Sequence, residues 1–249
     1  MSRILVTGAN GELGQHLVER LMSRQHSVLA MISEGAEVDV PSGVDVLGAD
    51  VRIRNDVDKA VRMVDAVVHL ATDPLRRTVD FDGTTNVAYA CTETETPMTY
   101  VSVVGSDKSR FPYYKVKSRA ERGLGDIPGL GFTVQRSTQF YSAIHRFLKL
   151  PVVPLPGDAP FQPVDPLDLA ARLVGLVEAG PSGRVEDFAG PTVMTIDDMA
   201  EVCREVTGSV GRTIAVPKFG VMREALDGIF VPAECDTGHR TYRDWLTRR

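Results

Sequence analysis

Three glycines set between an apolar run and a helix-like stretch constrain this chain more than any other feature. The segment ILVTGANGELGQHL spans residues 4–17 and places glycines at Gly8, Gly11 and Gly14. A strand over Arg3–Thr7 is followed by a sharp turn and then by a helix over Glu12–Ser23. In such a turn one glycine bends the chain, one lets the backbone approach a diphosphate, and one lets helix and strand pack closely. The helix N-terminus adds unpaired N–H groups and the positive end of its dipole. A glycine turn without a ligand is the competing reading. The strand–turn–helix setting at the head of an alternating chain favours the phosphate site.

The alternation continues. Strands are expected at Ser27–Ile32, Val44–Leu47, Asp65–Leu70, Met98–Val103 and Phe132–Arg136. Helices are expected at Asn55–Val64, with Asn55 as N-cap, and at Asp82–Cys91 and Tyr113–Gly123. Strands alternating with helices make βαβ units and a parallel sheet, and unbroken apolar runs suit strands covered on both faces. The fold class is therefore α/β. After Ser137 the texture changes. Six prolines fall between Pro151 and Pro166, interleaved with Val152, Val153, Leu155, Phe161 and Val164, which marks an irregular packed connection. Helices at Asp168–Ala179, Thr195–Thr207 and Arg240–Leu246 and short strands at Val185–Phe188 and Arg212–Val216 then suggest a smaller α+β lobe.

Composition narrows the function classes. The chain has 249 residues and a net charge of −5, which gives no basic footprint for nucleic acid. No apolar run reaches the roughly 20 residues of a membrane helix. The first strand begins so early that no signal peptide is expected, and the cysteine usage makes a reduced cytoplasmic setting the expectation. Cys91, Cys203 and Cys235 are odd in number and far apart, so neither a disulfide framework nor a metal site is expected.

Which dinucleotide fits is decided about 20 residues past the turn, where a carboxylate takes a ribose 2′-OH and an arginine takes a 2′-phosphate. Ser33 stands there, followed by Glu34, so NAD and NADP are left unresolved. Asp50 and Val51, after the third strand, fit an adenine contact, with a plain turn residue as the equal alternative for Asp50.

A second constellation lies in SRFPYYKVKSRAE. Tyr113 and Lys117 are four apart and share a helix face. A lysine ammonium beside a phenol favours the phenolate, so such a tyrosine can exchange a proton with a carbonyl or alcohol oxygen while hydride moves to or from a nicotinamide. Ser102 ends a predicted strand and could hold the same oxygen. An exposed helix pair is the alternative for Tyr113 and Lys117. Tyr114 has Ser118, not a lysine, four residues on.

These residues carry a resemblance. T-G-x-x-G-x-x-G at Thr7–Gly14, VVHLA at Val67–Ala71, GTTN at Gly83–Asn86, Ser102, and Tyr113 with Lys117 occur in the order of the extended and atypical short-chain dehydrogenases/reductases. The chain is most similar to the NmrA-like, sugar-nucleotide-epimerase-like group. RSTQF, PVDPLDLA and GRVEDFAGP extend the likeness over about 200 residues. The resemblance implies a Rossmann doubly wound sheet binding NAD(P) over residues 1–136, with a small C-terminal substrate lobe over 137–249 packed on it. It implies Ser102, Tyr113 and Lys117 as catalytic triad, with Lys117 also on the nicotinamide ribose and Ala71 beside the nicotinamide. The cofactor-binding set is then Gly8, Asn10, Gly11, Glu12, Leu13, Gly14, Ser33, Asp50, Val51, Leu70, Ala71, Thr72 and Lys117. Gln139 and Phe140 would begin the pocket for a small-molecule substrate.

Three positions depart from the family pattern. Ser33 replaces the arginine of NADP-favouring members, Asp80 replaces an asparagine, and only ten residues separate Ser102 from Tyr113. Many members associate, which admits a homodimer. The expected activity is NAD(P)-dependent redox or epimerase-type chemistry on a carbonyl or secondary alcohol. A dinucleotide sensor without turnover and a non-redox tailoring enzyme (dehydration or cyclisation) are the alternatives. Elsewhere, His69 reads as a core histidine, His145 as a helix-surface residue, Arg76 and Arg77 as surface charge, Asp168 as a helix cap, and Trp245 as the anchor of a C-terminal helix.

Overall fold

A computed structural model describes residues 1–213 and 219–249. In chain order the first elements are β1 (Arg3–Thr7), α1 (Glu12–Ser23), β2 (Ser27–Ile32), β3 (Asp45–Gly48), α2 (Arg54–Val61), β4 (Ala66–His69), a π-helical turn (Val79–Gly83), α3 (Thr84–Glu93), β5 (Met98–Val103), α4 (Pro112–Gly125) and β6 (Phe132–Ser137). Then come α5 (Tyr141–Leu148), β7 (Val152–Val153), β8 (Pro160–Phe161), α6 (Pro166–Ala179), β9 (Gly183–Arg184), β10 (Phe188–Ala189) and β11 (Met194–Thr195). The chain closes with α7 (Ile196–Thr207), β12 (Arg212–Thr213), α8 (Val221–Leu226), β13 (Asp236–Thr237) and α9 (Tyr242–Thr247). Beyond Thr213, the expected strand Arg212–Val216 lies outside the described residues.

The chain forms two compact units. The first holds residues 1–102, 116–135 and 170–185; the second holds 103–115, 136–169 and 186–249.

The first unit is a doubly wound sheet of Rossmann type. Its strands run in the order β6-β5-β4-β1-β2-β3, with β9 beside β6. β1 pairs in parallel with both β2 and β4, so the strand order reverses at β1. That reversal opens a crevice beyond the carboxyl ends of β1 and β4, the place where open parallel sheets bind ligands. Ile4, Leu5 and Val6 are fully buried on both faces, which is why β1 reads as an unbroken apolar run. Leu5, Met31, Val67, Val87, Tyr100 and Leu124 share one core.

Two expectations are corrected in this unit. Asn55 does not cap α2: the helix is entered at Ile53, whose N–H already closes a turn on the Asp50 carbonyl, and no side chain caps it. The expected helix Asp82–Cys91 begins later, at Thr84, behind the π-helical turn. That widened turn places Asp80 inward, where it is buried.

The second unit packs Tyr141, Ile144, Phe161, Ile196, Met199, Phe230 and Trp245 into its own core. Its short parallel strands continue from the last residue of β6 through β10 to β13. Thr195 and Thr241 each close a capping box, with Asp198 and Asp244 respectively. Trp245 is buried on α9 against Tyr242, Tyr141 and His145. In the proline-rich stretch Val153, Phe161 and Val164 are buried.

Two further expectations are corrected here. The cap of α6 is Asp165, whose Oδ1 accepts the Leu167 N–H at 2.9 Å. Asp168 instead turns sideways to accept the backbone N–H groups of His239 and Arg240 at 3.0 and 2.9 Å, and it pairs with the Arg240 guanidinium. His145 is buried rather than on the surface, with Nδ1 2.8 Å from the Tyr242 hydroxyl. Burial pushes its pKa down to about 4.

Candidate functional site

The glycine turn forms the floor of a cleft in the first unit. Gly8 has a φ of +69°, and a Cβ there would meet the Ala71 nitrogen at 2.9 Å. A Cβ on Gly14 would lie 2.4 Å from the Gly8 carbonyl oxygen. These two positions thus require glycine, one for handedness and for the approach of the loop after β4, the other for seating α1 on the turn. Gly11 is the N-cap of α1 and offers no side chain to its first N–H groups. They remain available to an anion.

The cleft encloses about 320 Å³ beyond the carboxyl ends of β1–β4. Gly8, Asn10, Gly11, Ser33, Asp50, Val51, Leu70, Ala71 and Thr72 all line it. The remaining turn residues of the expected set do not line it. Leu13 is buried and Gly14 packs α1 against the turn, so these two serve through backbone and packing, and Glu12 opens the helix. The Thr7 hydroxyl lies 3.1 and 3.2 Å from the Leu70 and Ala71 nitrogens, which fixes the loop after β4 against the turn. Asn10 gives its amide N–H to the Glu37 carbonyl at 2.6 Å, while its buried Oδ1 has no partner. A cradle closed to any Cβ, an uncapped helix start and an orphaned acceptor fit a dinucleotide diphosphate and its ribose.

Sequence reasoning missed several cleft residues. Arg52 lines it and forks onto Asp50, with Nε 3.0 Å from Oδ1. Hydrogen bonding from Arg52 holds the Asp50 carboxyl below its usual range. Arg76 also lines the cleft, against its expected place as plain surface charge. The loop after β4 lines the cleft as far as Arg76, and no periodicity signals that. Arg77 is exposed.

Behind the cleft lies a buried charge pair. The Lys117 ammonium is 3.1 Å from Asp80 Oδ1, with the two side chains 4% and 1% exposed. Lys117 also donates to the Val101 carbonyl at 3.2 Å and stands 4.9 Å over the Tyr100 ring. Asp80 accepts the Thr72 hydroxyl at 2.6 Å and the Asp73 N–H at 3.0 Å. Thr72 therefore joins the cleft lining to Lys117 through one carboxylate. His69 is the satisfied core histidine expected, between the Thr7 and Thr84 hydroxyls at 2.8 and 3.0 Å. Burial, and then the Lys117 charge, push its pKa down to about 3.

Ser102 is buried at the end of β5, and its hydroxyl donates to the Glu121 carboxylate. Glu121 was missed. Its place four residues after Lys117 on α4 was the available signal. Ser102 and Lys117 both belong to the first unit and tie the end of β5 to α4. Tyr113 is half-buried in the first turn of α4, within the second unit, edge-on to Tyr114 at 5.7 Å. The short stretch before it is held by Glu224, which accepts from the Ser109 hydroxyl and the Arg110 N–H at 2.5 and 2.8 Å. Burial pushes the Tyr114 phenol up to about 12. Gln139 donates to that phenol at 3.0 Å and leaves its buried Oε1 without a partner. Phe140 is half-buried and enters α5 as its N-cap.

Among the described residues no helix is long and apolar enough to cross a membrane. The model of a family described as NAD(P)H-binding matches residues 8–141, more than half of the chain. The chain is 30% identical over 221 residues to the (4-alkanoyl-5-oxo-2,5-dihydrofuran-3-yl)methyl phosphate reductase of Streptomyces griseus, covering 86% of this chain and 74% of that protein. It is 32% identical over 158 residues, or 61% of its length, to an uncharacterized protein of Mycobacterium tuberculosis, and spans only 17% of that relative. Among solved structures, a nucleoside-diphosphate-sugar epimerase of Staphylococcus aureus superposes with a TM-score of 0.80 at 15% identity, covering 98% of this chain and 99% of that one. The UDP-glucose 4-epimerase of Thermus thermophilus, in complex with NAD, gives 0.72 at 19% identity over 99% and 92%. At such identities the likeness is one of fold.

Proposed function

The chain belongs to the NAD(P)H-binding family, and on that premise we propose that it is an NAD(P)-dependent oxidoreductase or epimerase-type enzyme. Its substrate is a small molecule bearing a carbonyl or secondary alcohol. The observation that carries this reading is the buried Lys117 ammonium, one helical turn after Tyr113 and joined through Asp80 and Thr72 to the cleft that the glycine turn floors. The reductase of Streptomyces griseus supports the redox side of the reading.

The bound nicotinamide supplies hydride transfer. Within the cleft, the turn Gly8–Gly14 and the start of α1 would receive the diphosphate, Asp50 and Val51 would hold the adenine, and Leu70, Ala71 and Thr72 would hold the nicotinamide side. Tyr113 gives a proton to the substrate oxygen, or takes one from it. Lys117 holds the local charge that this transfer needs and would bear on the cofactor through Asp80 and Thr72 rather than from the cleft lining. Ser102 positions the substrate oxygen. Because its proton is given to Glu121, it presents lone pairs, which match the hydroxyl of a secondary alcohol. Gln139, with its orphaned Oε1, and Phe140 begin the substrate pocket.

One observation favours a second reading, a dinucleotide sensor without turnover: the Lys117 charge is already matched by Asp80. The two readings part on Tyr113→Phe. The measurement is oxidation of the reduced cofactor by a panel of small carbonyl compounds, with cofactor affinity followed in parallel by calorimetry. Loss of turnover by about 100-fold or more with affinity retained supports acid/base catalysis. Unchanged turnover removes Tyr113 from the chemistry. Binding without turnover of any compound in the panel supports the sensor.

A further inference from the structure

The adenosine end of the cleft carries information about which dinucleotide it holds. A carboxylate at the end of the second strand accepts a free ribose 2′-OH, whereas a nearby arginine receives a 2′-phosphate. Here the end of β2 offers Ser33 to the cleft. The next residue, Glu34, is exposed and is not part of the lining. Two arginines from other loops are part of it: Arg52, after β3, and Arg76, after β4.

The carboxylates lining the same space are already engaged. Asp50 accepts the Arg52 backbone N–H at 2.8 Å as well as its guanidinium. Asp73 Oδ1 accepts the N–H groups of Leu75 and Arg76 at 2.9 and 3.2 Å. Arg76 is held loosely: its ion pair with Asp73 spans 3.8 Å and its side chain is 68% exposed. A guanidinium is also weakly hydrated, and its fork matches phosphate oxygens in pairs.

Resting on the reading of this cleft as a dinucleotide site, we infer that it selects the 2′-phosphorylated form, NADP(H), with Arg76 and Arg52 receiving the 2′-phosphate and the Ser33 hydroxyl donating to it. Arg76 carries the larger share, since it turns toward the phosphate without breaking a close pair. Arg52 gives up one of its contacts to Asp50, which keeps its backbone partner. A free 2′-OH meets no carboxylate at the end of β2, so NAD(H) lacks the acceptor that would favour it.

The test is calorimetric titration of the purified full chain with NADPH and with NADH. The expected result is at least about tenfold tighter binding of NADPH at low salt, with the gap narrowing as salt is raised. Arg76→Ala should lower the NADPH-to-NADH affinity ratio about fivefold or more. Arg52→Ala combined with Arg76→Ala should bring the two cofactors to within about threefold, on the scale of one or two charge-assisted hydrogen bonds. Arg52→Gln keeps a donor for Asp50 and replaces Arg52→Ala if that variant fails to fold. Equal affinities in the unaltered protein, tighter NADH binding, or an unchanged ratio in the double variant overturns the inference. Binding of neither cofactor by folded protein is a different result: the dinucleotide reading of the cleft then fails, and this inference with it.

Discussion

The two compact units are stabilised by different means. The first is built from parallel strands whose apolar runs fill both faces, and its cleft is shaped largely by backbone and missing Cβ atoms. The second has short strands, a proline-rich stretch and a core that gathers rings among aliphatic side chains, with the ring centroids of Tyr141, Tyr242 and Trp245 within 6.2 Å of one another. Its C-terminal segment is tied by buried carboxylates, Asp165 to Arg248 and Asp168 to Arg240. A phosphate cradle rests on local geometry repeated along a sheet. A small irregular unit rests on a few large side chains, each touching partners far away in sequence. The first design is most sensitive at its glycines and at the buried Lys117–Asp80 pair; the second concentrates its stability in single large residues.

That contrast yields graded expectations. The largest effect is expected in the second unit. Trp245→Ala removes a 6% exposed indole from between Tyr242, Tyr141 and His145 and should cost about 3–5 kcal/mol in urea unfolding. A loss under 1 kcal/mol would mean that the ring cluster is not what holds the second unit. Next is the buried pair of the first unit. Asp80→Ala strands the Lys117 ammonium, 4% exposed, and should cost about 3 kcal/mol, while Asp80→Asn, which keeps an acceptor for Thr72, should cost less. Equal costs for the two variants would show that the charge of Asp80, and not its acceptor for Thr72, is what the fold needs.

The most graded effect, and the smallest for each unit step, is on pH. His69 and His145 are held neutral in the fold, with pKa values pushed down to about 3 and about 4 by burial. In the unfolded chain they protonate at about 6.5. The unfolded state therefore binds more protons below that pH, and stability is full above pH 6.5 and falls as pH drops toward 4. Each histidine contributes a slope of up to about 1.4 kcal/mol per pH unit in that window. His145→Gln should flatten the fall between about pH 6.5 and 4 by one proton's worth, leaving the His69 part. An unchanged slope would mean that the second unit does not share in the acid transition.

Legibility follows the same divide. The bounds of β1, α1 and β2 agree with expectation because turn, cap and apolar run lie within a few residues of one another. Ser33, Asp50, Leu70 and Ala71 were expected together, and they line one cleft, because each follows a strand of the same parallel sheet. His145 and Asp168 were misread because what they bind is remote, Tyr242 and the 239–240 backbone. A helix position with no visible partner looks like surface or cap until the chain returns to it. Asp80 showed in the sequence only as a departure from a pattern, and its pairing with Lys117, 37 residues on, depends on the wide turn before α3.

By itself, then, the sequence determined the doubly wound sheet, the glycine cradle and the order of strands that brings the cleft residues to one end. Those features follow from short-range sterics and from a hydrophobic period that repeats along the chain. The tertiary structure alone decided which charges face each other: Lys117 on Asp80, Ser102 on Glu121, Arg52 and Arg76 around one cleft. Such pairings cost desolvation and form only where the folded backbone brings both partners into a dry or shared space. Spacing in sequence holds no record of that space.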